Sequence, residues 1–162
     1  MRSTERGFTF VGLLIVVAIM GMALAGMGTF FSHEAQREKE RELLFVGHQF
    51  RAAIESYYRR SPGVASYPRT LADLVDDKRF PMPQHHLRRL YADPMTGKAD
   101  WVPVPTSDGS GIVGVRSRSE ARPIKKGNFD AADAAFEEAK RYAEWQFVYV
   151  PPTTPNNPAP NG

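Results

Sequence analysis

The chain holds 162 residues and no cysteine, with 21 Lys and Arg against 18 Asp and Glu and a formal net charge of +3. The missing thiols exclude disulfides, thiol catalysis and Cys-based zinc sites, and so even a charge balance does not demand nucleic acid or an anionic membrane as partner. The length leaves room for one membrane helix and one modest soluble domain, and a mean hydropathy of −0.40 keeps the remainder polar.

Arg2 and Arg6, opposed only by Glu5, precede an apolar run from Phe8 to Phe31 that carries no charged residue. Roughly two dozen residues at about 1.5 Å each make a helix of about 36 Å, enough to cross a bilayer core of about 30 Å. The positive-inside rule keeps the short N-terminus cytoplasmic and sends the rest across. Small residues recur every fourth position at Gly21, Ala25 and Thr29, with Gly12, Gly26 and Gly28 also in the run. Such spacing lets helices approach closely, and glycine is also common in transmembrane helices generally. A cleavable secretory signal has a shorter core of about 7–15 residues, although Ala23-Leu24-Ala25 imitates its cleavage site. A simple signal anchor fits the hydropathy alone.

Local detail adds a third reading. Gly7 sits at the polar-to-apolar junction, and Phe8-Thr9-Phe10 follow at once. This resembles the leader of type IV prepilins and type II secretion pseudopilins: a short basic peptide ending in Gly, then Phe-Thr and an uninterrupted apolar helix. The resemblance implies that prepilin peptidase cuts between Gly7 and Phe8 on the cytoplasmic side, with Arg6 and Thr9 in the recognised leader, and that Phe8 becomes the N-methylated terminus. It also makes Gly12, Gly21 and Ala25 helix-packing positions in a filament. The family usually carries a Glu five residues into the mature chain, where this sequence has Gly12. In the family that carboxylate pairs with the terminal ammonium of a neighbouring subunit, since an unpaired charge in an apolar bundle costs several kcal/mol. Members without it are known among minor subunits at filament tips.

The helix is expected to continue past the apolar run, because 32–60 contains no Pro and a single Gly, Gly47. The charge-dense stretch Glu34 to Glu42 reads as a solvated helix face. Beyond it, Leu43, Val46, Gly47, Phe50, Ala53, Ile54 and Tyr57 follow the 3, 4, 7 spacing of one buried face. Ser61-Pro62-Gly63 ends the helix. Thr70 caps a short helix to Asp76, with Asp73 at the capping-box position. Asp93-Pro94 and Thr96-Gly97 suit a turn. Tyr67-Pro68, the short helix and this turn together resemble the G-type pseudopilin of type II secretion, in which they lead into a small antiparallel sheet. Trp101 to Val104 reads as an edge strand because Pro103 cannot donate, and Ile112 to Val115 as a core strand. A second helix is expected from Asn128 or Asp130 to Trp145, a departure from G-type relatives, with Phe136, Ala139, Tyr142 and Ala143 as its apolar face. Trp145 to Val150 reads as a last strand, and 151–162 as a Pro/Asn-rich disordered tail.

Little in the chain points to chemistry. His85 and His86 are adjacent and point apart on a helix or strand, so shared metal ligation is disfavoured. His33 and His48 stand alone on the helix. Asp73, Asp76 and Asp77 are explained by a capped surface helix. Some G-type relatives bind calcium, and Asp108 beside Gly109 is the nearest acid here, without the regular spacing of a calcium loop. Arg116, Arg118, Arg122, Lys125 and Lys126 read as a solvated basic loop with no aromatic interleaving for nucleic acid.

The expectation is an α+β fold: a long N-terminal spine helix packed on a small antiparallel sheet with short helices. Residues 1–7 form the leader, 8–31 the transmembrane half of the spine, 32–60 its soluble half, 61–150 a periplasmic head and 151–162 the tail. The implied function is structural and not enzymatic: a pseudopilin of an inner-membrane-rooted type II secretion pseudopilus. Its partners would be prepilin peptidase, other pseudopilins and an inner-membrane assembly platform, with no nucleic acid, no metal and no cofactor beyond the calcium candidate. The alternatives are a minor type IV pilin for adhesion or DNA uptake, or a plain signal-anchored periplasmic binding protein.

Overall fold

A computed structural model describes residues 5–152, giving only the helical backbone for 5–9 and 23–32. The chain divides into two units, 1–38 and 39–162. Helix α1 runs Glu5–Arg59 and belongs to both. In the first unit, every described side chain from Phe10 to Met22 is exposed.

The second unit is a head built on the last part of α1. Leu43, Val46, Phe50, Ala53, Ile54 and Tyr57 are all buried, as their spacing predicts. Full burial of such a side chain contributes about 1.5–3 kcal/mol, so this stripe dominates the attachment of helix to head. Three short antiparallel strands complete the core: β1 (Val102–Pro105), β2 (Ile112–Arg116) and β3 (Gln146–Val148), in that spatial order. Val115 of β2 lies opposite Pro103 on one side and Phe147 on the other. Pro103 and Pro105 are tolerated because β1 is an edge, and a bulge falls between Val104 and Pro105.

The expected short helix after Thr70 is a single 3-10 turn, Leu71–Leu74. The Asp73 carboxylate accepts the backbone N–H of Thr70 at 2.8 Å and of Arg69 at 3.1 Å. At Asp93 the chain makes the expected turn: the N–H groups of Thr96 and Gly97 donate to the Asp93 carbonyl, and Gly97 sits at φ +72°, which glycine adopts without penalty.

The second long helix does not form. In its place are two 3-10 segments, Ala131–Glu138 and Tyr142–Glu144, separated by an extended Ala139. The buried residues explain why: Asp133, Phe136, Ala139, Tyr142 and Trp145 recur every third position. That period matches the three residues per turn of the 3-10 segments, whereas an α-helix would rotate successive members about 60° off the buried face; Ala139 and Trp145 sit at the extended ends of the two segments. Their rings interlock, with Phe136 stacked on Trp145 at 5.2 Å and Tyr142 edge-on to it at 5.2 Å. The tail expected to be disordered lies, from residue 153 on, outside the described residues.

Candidate functional site

The processing and packing positions lie on α1. Arg6, Gly7, Phe8, Thr9 and Ala25 fall within the helix but outside the residues whose side chains are described. Gly12 and Gly21 are described, and a Cβ placed on either meets nothing within 4 Å. The surrounding side chains point outward on all sides: Phe10 is 62% exposed, Ile15 55%, Val17 58% and Met20 64%. A helix that is apolar all round requires cover from lipid or from other helices. Among the described residues, nonetheless, no helix is long and apolar enough to cross a membrane. The expected span 8–31 includes 8–9 and 23–31, whose side chains are not described.

Four contacts lock the head onto α1, and sequence reasoning missed most of them. The first is at Glu40, which is only 3% exposed. The charge-dense stretch is therefore not solvated throughout: Glu40 continues the buried stripe one turn ahead of Leu43. Its carboxylate accepts the backbone N–H of Lys125 at 2.9 Å. Desolvation raises its pKa, only partly opposed by the backbone bonds from Lys125 and Ile124 and by the charges of Lys125 and Lys126. A carboxyl with a raised folded pKa costs stability as pH climbs from the ordinary Glu value through the folded one. Glu40→Gln keeps an acceptor for Lys125 and removes the buried charge. We expect it to raise the thermal midpoint of the full chain at neutral pH, with the difference vanishing below about pH 4. Glu40→Ala, lacking the acceptor, should lower the midpoint at every pH.

The second contact joins α1 to the segment after Asp130. Asp133, 2% exposed, receives His48 Nε2 at 2.6 Å and the Arg51 guanidinium. His48 is thus paired and not isolated, and its ring lies edge-on to Phe147 at 5.8 Å. The third is a close approach: a Cβ on Gly47 would stand 2.5 Å from the ring of Phe147, which is fully buried. Only glycine lets β3 press so near the helix.

The fourth closes the C-terminal end of α1. Arg79 grips Asp77 with Nε at 2.9 Å from Oδ1 and Nη2 at 2.7 Å from Oδ2. The same guanidinium donates to the Tyr57 carbonyl at 2.9 Å and to Ser61 Oγ at 2.8 Å, and lies 3.4 Å above the Tyr57 ring. Arg79 is therefore a C-cap supplied from another segment, satisfying a carbonyl that the helix end leaves unpaired. Asp77 is not part of a surface helix, being 1% exposed. Burial pushes its pKa up, but the bonds from Arg79 and His86 outweigh it and hold the carboxyl at about 2. The His86 side chain, shielded from solvent, links Ser56 Oγ at 2.9 Å to Asp77 at 3.2 Å. His85 faces away to the Val75 carbonyl, so the adjacent pair does point apart.

The remaining candidates fall on loops. Asp108 is held at about 2 by hydrogen bonds from Thr106 and Ser110. Among the described residues no group of three His, Cys, Asp or Glu side chains is placed to hold a metal ion. The basic stretch is only partly solvated: Arg116 donates to the Ala143 carbonyl, Lys126 to the Ala139 carbonyl, and Lys125 lies 4.5 Å from the Phe129 ring centre. Ser117, fully buried, donates to Asp93 Oδ2 at 2.6 Å and ties the stretch to the Asp93 turn.

Residues 2–28 match the prokaryotic N-terminal methylation motif, the signal carried by type IV pilins and pseudopilins. The match supports a type IV pilin-like protein, processed by prepilin peptidase and anchored in a membrane through its N-terminus. No curated protein and no solved structure matches the chain.

Proposed function

We propose that the chain is a pseudopilin, a structural subunit of an inner-membrane-rooted type II secretion pseudopilus, with its head in the periplasm. The observation that carries this reading is the methylation motif at 2–28, on a helix whose described side chains from Phe10 to Met22 are all exposed. Prepilin peptidase cuts between Gly7 and Phe8, Phe8 is methylated, and the helix waits in the membrane. An inner-membrane assembly platform then draws it into a filament with other pseudopilins, where Gly12, Gly21 and Ala25 permit close helix packing. The four contacts that fix head to helix transmit the movement of the helix to the head. No catalytic group and no cofactor enters this mechanism.

The pseudopilin reading is favoured over a pilin by the order of parts in the head. Tyr67-Pro68, a short helical turn, the Asp93 to Gly97 turn and a small antiparallel sheet follow α1, as in the G-type pseudopilins the sequence resembles. Deletion of the gene in its native host tests this. We expect exported enzymes to accumulate in the periplasm while surface pili persist, with secretion restored by the wild-type chain. Loss of surface pili with secretion intact would overturn the secretion role.

A further inference from the structure

Two concavities of the head meet at Arg69. The larger, of about 900 Å³, opens beside the end of α1, with Tyr57, Tyr58 and Tyr67 in one part and Thr106, Asp108 and Ser110 of the β1–β2 loop in another. The smaller, of about 580 Å³, runs along Pro103 and Pro105 of β1 and along Gly109 to Ile112. Arg69 and Ser110 line both, so the two form one groove that passes over the loop. Its length favours an extended ligand over a compact one.

The lining selects among ligand classes. Charges in the larger part balance, Arg69, Lys78 and Arg79 against Asp73, Asp77 and Asp108, so an ion gains little there. An apolar ligand would strand those polar groups without water or partners. A polyol suits them, because each hydroxyl donates to a carboxylate and accepts from a guanidinium. Asp77 and Arg79 are spent on each other, and Asp73 accepts two backbone N–H groups. Arg69 is exposed, and its guanidinium donates to no other described residue. Arg79 already covers the Tyr57 ring at 3.4 Å. The aromatic surface left to a ligand is that of Tyr58 and Tyr67, both half-buried, with ring centres 4.7 Å apart and planes tilted by 43°. An extended peptide would match the shape, but along β1 it would bind by adding a strand. Pro103 and Pro105 take two of the four backbone donors from that free edge. A sugar chain needs no such ladder.

We propose that this groove binds an uncharged oligosaccharide of hexose or N-acetylhexosamine rings, with one ring stacked on Tyr58 or Tyr67 and its hydroxyls held by Arg69 and Asp108. The C–H face of a sugar ring is apolar and rests on the negative face of an aromatic ring. Hydrogen bonds to the ionised Arg69 and Asp108 are charge-assisted, and the guanidinium fork spans two neighbouring hydroxyls. The prolines of β1 extend the apolar floor for the next ring along the chain. The proposal does not depend on the leader or on the secretion role.

Saturation-transfer NMR on the full chain, in micelles of a detergent without a sugar headgroup, tests it with chitotetraose and cellotetraose as probes. At least one of the two should bind, with a Kd of about 0.1–1 mM. Arg69→Ala should weaken binding about tenfold, the loss of a hydrogen bond from a charged donor, while the thermal midpoint stays that of the wild type. Arg88→Ala, at an exposed arginine that does not line the groove, should leave binding unchanged. No response to either sugar would overturn the proposal. Undiminished binding by Arg69→Ala would do the same, since the sugar would then sit elsewhere. Binding of a tetra-alanine peptide in place of both sugars would assign the groove to peptides and overturn it as well.

Discussion

Arg79→Ala lowers the stability of the head by about 3–5 kcal/mol, the cost of depriving a buried carboxylate of its guanidinium partner. Asp77 is 1% exposed, and the Arg79 guanidinium donates to both of its carboxylate oxygens as well as capping Tyr57. Arg79→Lys should recover less than half of the loss, because an ammonium cannot bridge both oxygens, a backbone carbonyl and a ring face at once. Urea unfolding of the full chain, followed by the fluorescence of the buried Trp101 and Trp145, measures both variants. The pH dependence gives an independent sign. Asp77 titrates at about 2 in the folded head, below the ordinary value of about 3.9. Its contribution is therefore complete above about pH 4 and is lost as pH falls toward about 2. Wild type should show this acid step, and Arg79→Ala should show little of it. A loss under about 1 kcal/mol would mean that the pair behaves as an exposed surface bridge.

Phe147→Ala should cost about 3–5 kcal/mol, as expected for removing a fully buried ring. The ring lies 5.2 Å from that of Phe136, 5.8 Å from that of His48 and directly against Gly47. The more discriminating result is a reversal of sign at Gly47. In the wild type, Gly47→Ala drives its methyl into the ring, and overpacking of this kind costs about 1–3 kcal/mol, more than the gain from better helix propensity. In the Phe147→Ala background the obstruction is gone, and the same substitution should stabilise by about 0.5–1 kcal/mol. A double-mutant cycle measured by thermal unfolding reads the coupling directly. Additive effects would show that helix and strand are farther apart than the structure places them.

The sequence made the buried stripe from Leu43 to Tyr57 legible because an amphipathic helix writes its period directly into the chain. The edge strand was legible through Pro103, the end of α1 through Ser61-Pro62-Gly63, and the methylation motif at 2–28 through the residues around the polar-to-apolar junction. The contacts that fasten the head were not. Asp133 with His48, and Glu40 with Lys125, join residues 85 positions apart, and Arg79, though beside Asp77 in sequence, caps Tyr57 22 positions back; no local pattern marks these pairs, and each charged residue alone reads as surface. One signal was present for Asp133: it begins a three-residue repeat with Phe136, Ala139, Tyr142 and Trp145. Reading that stretch with a helical period of 3.6 merged two 3-10 segments into one helix. The Asp93 turn was legible from Asp-Pro and Gly, whereas its tie to Ser117 needed the folded chain.

The account rests on the fate of the N-terminus. Intact-mass and N-terminal analysis of the membrane-extracted chain, with and without co-expressed prepilin peptidase, tests it most directly. The predicted product with the peptidase present begins at Phe8, has lost residues 1–7 and carries one added methyl group. A chain that keeps Arg2 and Arg6 in the presence of active peptidase would contradict it.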